Sequence, residues 1–259
     1  MITSLNNERV KYVRALQARS RARRKEGHFV IEGPTLLREA LAAGVPIKEM
    51  FYTEDFAGSP EGRVLLERIS YSGTIMLPVD QSVMRAMSDT PAPQGVLAVL
   101  PDLHLEPPAD ASFALIIDRV ADPGNLGNMM RTAAAAGVPL MVTTAGTVDW
   151  TNPKVVRSAM GAHFRLPVRQ LSWEGITSQF ADYVLFLADV QGGAPYFSVN
   201  WVQPCALIVS EEAHGPSESA ARLAHARVMI PMPGGMESLN VAMATGIMLF
   251  EMARQRAVQ

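Results

Sequence analysis

Cysteine is nearly absent: Cys205 stands alone among 259 residues. One thiol excludes an internal disulfide and any multi-cysteine zinc site. Charged residues make up only 19% and aromatics 7%, beside 48% hydrophobic residues, the balance of a soluble globular chain. No G-x-G-x-x-G or G-x-x-x-x-G-K-[ST] loop occurs, which counts against an ordinary dinucleotide or nucleoside-triphosphate fold. The uncharged run from Leu239 to Phe250 is shorter than the roughly 20 apolar residues a membrane-spanning helix needs. The first 25 residues are polar and basic with no apolar centre, unlike a secretory leader. These deficits lead to the expectation of a cytoplasmic protein with no membrane span.

Acidic residues are missing from one place. Between Arg9 and Lys25 stand eight basic residues and no carboxylate, although the whole chain has a net charge of −2. A basic block on an otherwise acidic protein is a candidate contact for a phosphate backbone, and a solvated helix face reads the same way. Ser20 to Lys25 has no apolar anchor except Ala22 and reads as a mobile loop. Arg19, Arg21, Arg23, Arg24 and Lys25 are the candidate RNA-binding residues.

Strand and helix patterns alternate along the chain. Leu5 to Gln17 reads as a helix with Val10, Val13 and Leu16 on one side. His28 to Glu32, Lys48 to Thr53, Thr74 to Leu77 and Gly95 to Leu100 read as strands. Between them lie helices from Pro34 to Ala43, Gly62 to Ile69 and Gln81 to Met87, so the first half is a small α/β domain. Pro101 to Ala111, with three prolines, reads as a linker. In the second half, strands are expected at Ser112 to Asp118, Pro139 to Thr143, Tyr183 to Ala188, Ala206 to Val209 and Arg227 to Ile230. Helices are expected at Asn125 to Ala136, Pro153 to Met160 and Pro216 to His225, with a last one beginning after Ser238 as its N-cap. Phe113-Ala114-Leu115-Ile116-Ile117 is apolar on both faces, the signature of a parallel sheet covered by helices. Ligands of such sheets sit at the carboxyl ends of strands.

Three strand ends lead into polar or glycine-rich loops. Asp118 to Ala133 holds Asp122-Pro123-Gly124-Asn125, turn chemistry at a helix start. Arg131 there shares a helix face with Asn128. A plain strand-turn-helix reads this way, and so does a phosphate site. Val209 to Ser217 carries adjacent Glu211 and Glu212, either solvated or able to orient a ligand. Ile230-Pro231-Met232-Pro233-Gly234-Gly235 turns into Ser238-Leu239-Asn240-Val241.

Taken in order, N-x-G-x-x-x-R (Asn125, Gly127, Arg131), E-x-x-G (Glu212, Gly215) and I-P-M-x-G with S-L-N-V resemble the SpoU/TrmH family of RNA 2′-O-ribose methyltransferases. Arg157-Ser158-Ala159-Met160-Gly161-Ala162, followed by Arg165-Leu166-Pro167-Val168, is similar to the family's middle segment. Ile2-Thr3-Ser4, Asn7 to Lys11 and Phe29 to Gly33 resemble the substrate-binding domain often fused ahead of it. The resemblance implies an RNA-binding α/β domain over residues 1–104. Residues 105–259 would then form a parallel-sheet α/β methyltransferase domain with a trefoil knot, a feature no periodicity can reveal. It further implies a homodimer and S-adenosyl-L-methionine as cofactor, held by main-chain groups at Ser210, Ile230 and Leu239. The implied substrate is an RNA ribose 2′-hydroxyl, with ribosomal RNA ahead of transfer RNA, in a reaction that would need no metal.

The resemblance further implies that Arg131 would hold the target phosphate and stabilise alkoxide charge, since a guanidinium is a poor base. Asn125 would shape the site with Arg131, and Glu212 would fix nearby loop or arginine geometry. Ser238 and Asn240 would line the methyl-transfer pocket. Serine at 210 and alanine at 242 depart from the family's usual glycine and serine. The alternatives are an RNA-binding scaffold without turnover, for which Ser210 speaks, and an unrelated nucleotide-binding α/β enzyme.

Overall fold

Alternation of buried and exposed side chains, two residues apart in strands and three to four apart in helices, builds this chain into two units. A computed structural model describes residues 1–190, 192–211 and 215–257. In chain order the elements of the first half are α1 (Glu8–Ala18), α2 (Ser20–Glu26), β1 (His28–Glu32), α3 (Pro34–Ala42) and β2 (Glu49–Tyr52). Then come α4 (Glu54–Gly58), α5 (Pro60–Ser70), β3 (Ile75–Pro78), α6 (Gln81–Met87) and β4 (Val96–Pro101). The second half runs β5 (Phe113–Asp118), α7 (Pro123–Ala135), β6 (Met141–Thr143), α8 (Pro153–Ala159), β7 (Val168–Gln170) and α9 (Trp173–Gln179). It ends with β8 (Val184–Ala188), β9 (Ala194–Pro195), β10 (Cys205–Ser210), α10 (Glu218–Leu223), β11 (Ala226–Met229) and α11 (Val241–Ala257).

The first unit comprises Met1–Leu103 and Asp149–Phe164. Its sheet has the order β1-β4-β2-β3, antiparallel at β1–β4 and β4–β2 and parallel at β2–β3. Successive strand residues face opposite sides. Phe29, Ile31, Met50, Ala98 and Leu100 therefore join one core with α3, α5 and Val156 of α8. Val30, Phe51, Leu97 and Val99 join the other with α1 and α6. The expected α1 stripe of Val10, Val13 and Leu16 is fully buried.

Residues 20–25 differ from the expected mobile loop. They form α2, which ends at Gly27 in the left-handed conformation (φ 61°), the usual glycine helix stop. The reason is Arg23. Its guanidinium is 4% exposed, and Nη2 lies 2.7 Å from Asp149 Oδ2. Nε donates to Thr151 Oγ1 at 3.2 Å, and Nη1 donates to the Leu16 carbonyl at 2.8 Å. A buried cation replaces the apolar anchor that this segment lacks. Residues 149–164 group with the first unit, where Val156 and Phe164 join its core.

The second unit, His104–Val148 with Arg165–Gln259, holds among the described residues seven strands in the order β7-β6-β5-β10-β8-β11-β9. Every adjacent pair is parallel. All six β5 residues are buried, as a doubly covered strand requires. Ala114, Ile116, Leu185, Leu187, Ala206 and Ile208 pack with α9 and α10. α11 packs on α7 and β10. Helix α4, helix α9 and the edge strands β7 and β9 had no counterpart in the sequence reading; all are short.

Candidate active site

Parallel strands place all their carboxyl ends on one side, and the second unit has its cavity there. The cavity, of about 290 Å³, lies beyond the neighbouring strands β8, β10 and β11. Asp189 follows β8, Ser210 ends β10, and Ile230 follows β11; all three line it. The stretch Glu237-Ser238-Leu239 closes one wall. Val241, Ala244, Thr245 and Met248 present one face of α11, at the spacing of residues stacked along a helix. Thr245 is fully buried; its hydroxyl donates to the Val241 carbonyl at 2.7 Å, with Met129 Sδ of α7 at 3.4 Å.

Asp118 holds Ser217, the residue that caps α10. Its carboxylate is 0% exposed, in register with Ser210 on the adjacent strand. Oδ2 accepts from the Ser217 backbone N–H at 2.7 Å, and the Thr144 hydroxyl is 3.3 Å from Oδ1. Arg119 follows in the left-handed region (φ 56°), rare for a residue with a Cβ. Its Nη2 donates to the Gly215 carbonyl at 3.3 Å. Together the two residues fix both sides of Pro216, which lines the cavity.

The helix starts are tied to each other. Asp122 caps α7, its Oδ1 accepting from Asn125 N–H at 2.7 Å, with Pro123 in the first turn. Asn240 caps α11: Oδ1 accepts from Ala242 N–H at 3.0 Å, and Nδ2 donates to Asn125 Oδ1 at 2.9 Å. The cap is therefore Asn240 rather than Ser238. Ser238 lies two residues before it, in the cavity wall.

Of the residues singled out from sequence, Ser210, Ile230, Ser238 and Leu239 share the cavity. Asn125 and Asn240 meet each other. Arg131 is exposed on α7 and is not among the cavity-lining residues. Glu212 lies outside the described residues. Arg19, Arg21, Arg24 and Lys25 are exposed on the first unit. Arg23 is corrected from an RNA contact to a structural residue, because its donors are consumed by Asp149, Thr151 and Leu16. Sequence reasoning missed Asp118, Asp189 and Thr245. The first two stand at strand carboxyl ends, a signal that could have found them; Thr245 offered none.

Ser210 does not take a positive φ, since Arg119 and Met160 are the non-glycine residues that do so. Its backbone therefore does not require the glycine common at that position.

Comparison with known proteins agrees with this arrangement. Residues 112–250 match the SpoU rRNA Methylase family, and residues 7–98 match an MRM3-like substrate binding domain. An uncharacterized tRNA/rRNA methyltransferase of Synechocystis is 35% identical over 260 residues, covering 98% of this chain and 94% of that protein. The 23S rRNA (guanosine(2553)-2′-O)-methyltransferase RlmP of Bacillus subtilis is 34% identical over 255 residues, covering 97% and 98%. Among solved structures, the SpoU methyltransferase AviRb of Streptomyces viridochromogenes, in complex with AdoMet, superposes with a TM-score of 0.88 at 27% identity, covering 97% and 99%. An AdoMet-bound rRNA methyltransferase from Sinorhizobium meliloti gives 0.84 at 30%, covering 98% and 97%. A parallel sheet whose strand ends carry this loop trio, matched through both units, makes the chain a member of the SpoU rRNA methylase family with an MRM3-like substrate-binding domain.

Proposed function

We propose that the protein transfers a methyl group from S-adenosylmethionine to a ribose 2′-hydroxyl of ribosomal RNA. One observation carries this reading: Ser210, Ile230 and Leu239, far apart in sequence, line one cavity at the strand carboxyl ends. At about 290 Å³ the cavity is near the lower end of small-ligand pockets, roughly 300–1,000 Å³. Met232, Leu239 and Met248 give it apolar walls, and residues at strand ends carry main-chain donors and acceptors beside it. Those residues fit a nucleoside with an apolar tail, and main-chain groups of Ser210, Ile230 and Leu239 would hold the adenine.

When bound, S-adenosylmethionine supplies a methyl group on a sulfonium, which a 2′-oxygen can attack in line. The chain's own contribution is positional. The Asn125–Asn240 bond fixes the starts of α7 and α11, and Asp118 fixes the cap of α10 at Ser217. Arg131, exposed on α7, holds the target phosphate and balances alkoxide charge while remaining protonated.

The finer reading adds a trefoil knot through the loops around this cavity and a homodimer through α11. Support for the dimer is an exposed apolar stripe, Met243, Ile247 and Phe250, at 64%, 37% and 54% exposure. The spacing of these residues puts them on one helix face. Light scattering at micromolar concentration should give twice the chain mass, and Ile247→Lys with Phe250→Lys should halve it.

The test of function is ribose-methylation mapping of total RNA made with and without the protein, beside S-adenosylmethionine calorimetry. A new 2′-O-methyl mark in ribosomal RNA is expected. Absence of cofactor binding would leave the RNA-binding scaffold in its place.

A further inference from the structure

Helix α1 has two faces of opposite character. Val10, Val13 and Leu16 enter the core. The other face carries Lys11, Arg14, Ala15, Ala18 and Arg19 around an open depression of about 320 Å³. Two small side chains, Ala15 and Ala18, and three long cationic ones line it. The small residues leave room for a bulky anion, and flexible cations can close on it. Lys11 pairs with Glu8 at 2.9 Å, both exposed, a contact worth little in water. Among the described residues, Arg14 and Arg19 have no acidic side chain within ion-pair distance.

A second feature makes the same place suitable for an anion. The depression lies over the C-terminal half of α1, where unpaired carbonyls carry partial negative charge that repels phosphate. Arg23 donates to two of those carbonyls, Leu16 at 2.8 Å and Gln17 at 3.4 Å. Being buried and bound to Asp149, it cannot leave to pair elsewhere. It offsets the repulsive helix end, while Lys11, Arg14 and Arg19 stay exposed.

We propose that Lys11, Arg14 and Arg19 form a phosphate-binding cup for the RNA backbone, and that this cup, rather than the exposed face of α2, is the principal phosphate contact of the first unit. The identification of the anion as RNA rests on the function proposed above. Phosphate contacts of this kind position a nucleic acid without reading its sequence.

The test uses the full-length protein, a short single-stranded RNA of mixed sequence, and fluorescence anisotropy over a salt series. The Lys11→Gln/Arg14→Gln/Arg19→Gln protein should lose about 2 from the log–log salt slope, at ~0.7 per phosphate contact. The Arg21→Gln/Arg24→Gln/Lys25→Gln protein should lose less than half as much. Arg14→Lys with Arg19→Lys should keep most of the slope, and unchanged thermal midpoints show that each variant is folded. An unmoved slope in the first protein, or equal losses in both, overturns the cup. Methyl transfer by the unaltered protein separates the two claims. Transfer with an unmoved slope sinks the cup alone, whereas a reduced slope without any transfer sinks the proposed reaction and keeps the cup.

Discussion

The two units keep their polar chemistry in opposite places. In the first, polar groups within the fold serve as anchors: Arg23 on Asp149, His163 on the Trp150 carbonyl at 2.7 Å, and Glu32 accepting from Ser88 and Thr90, each at 2.7 Å. Its free cations lie outside. In the second, polar groups gather at strand ends: Asp118, Thr144, Asp189 and Ser210. Sheet direction accounts for the contrast. A mixed sheet sends strand ends both ways and collects no common rim, so such a unit works through its surface. An all-parallel sheet gathers its carboxyl ends on one side, and the cavity forms there.

The largest expected effect tests the anchors. Arg23→Met leaves the partly buried Asp149 without its cation and the Leu16 and Gln17 carbonyls without their donor, and should cost about 3–5 kcal/mol in urea unfolding. Adding Asp149→Leu should recover most of that loss, and no recovery would show that Arg23 acts other than through this pair. Next comes the rim of the second unit. Arg131→Ala should lower methyl transfer by about 10²–10³ with S-adenosylmethionine affinity unchanged in calorimetry. Near-normal turnover would remove Arg131 from the reaction.

A smaller effect separates the units by pH. Burial holds the His163 imidazole below its ordinary value of 6.5, so it is neutral in the fold. Below pH 6.5 the unfolded chain binds a proton that the folded one refuses. Stability is therefore full above that pH and declines as pH falls toward the folded value. His163→Gln should flatten the decline in chemical unfolding between neutral and mildly acid pH, and an unaltered slope would assign it to another group. The smallest effect is at Ser210. With its ordinary backbone, Ser210→Gly should move cofactor affinity by less than about 0.5 kcal/mol; markedly tighter binding would mean that the serine side chain crowds the cavity.

Cys205 shows what one residue can and cannot announce. Its solitude ruled out disulfides directly. Its inertness is structural: burial pushes the thiol up to about 11, against the opposing pull of Arg256. No sequence rule would have paired those two residues.

Much of the architecture could be read locally. β5 is apolar on both faces, α1 carries a three-residue stripe, and Asp122-Pro123 starts α7; each depends on neighbours within a turn or a strand. The cavity residues Ser210, Ile230 and Leu239 came from motif resemblance, with the strand-end rule as independent support. What local pattern misjudged was decided by partners distant in sequence. α2 looked unanchored because its anchor, Asp149, lies 126 residues away. Asn240 displaced Ser238 as the helix cap because its amide is also bound by Asn125, 115 residues earlier. Asp118 came to hold the α10 cap only when β10 lay beside β5 and brought Ser217 to its carboxylate. Periodicity and turn chemistry are short-range and survive in the bare sequence. A buried ion pair or a shared cap is a long-range choice among many possible partners, and packing makes it.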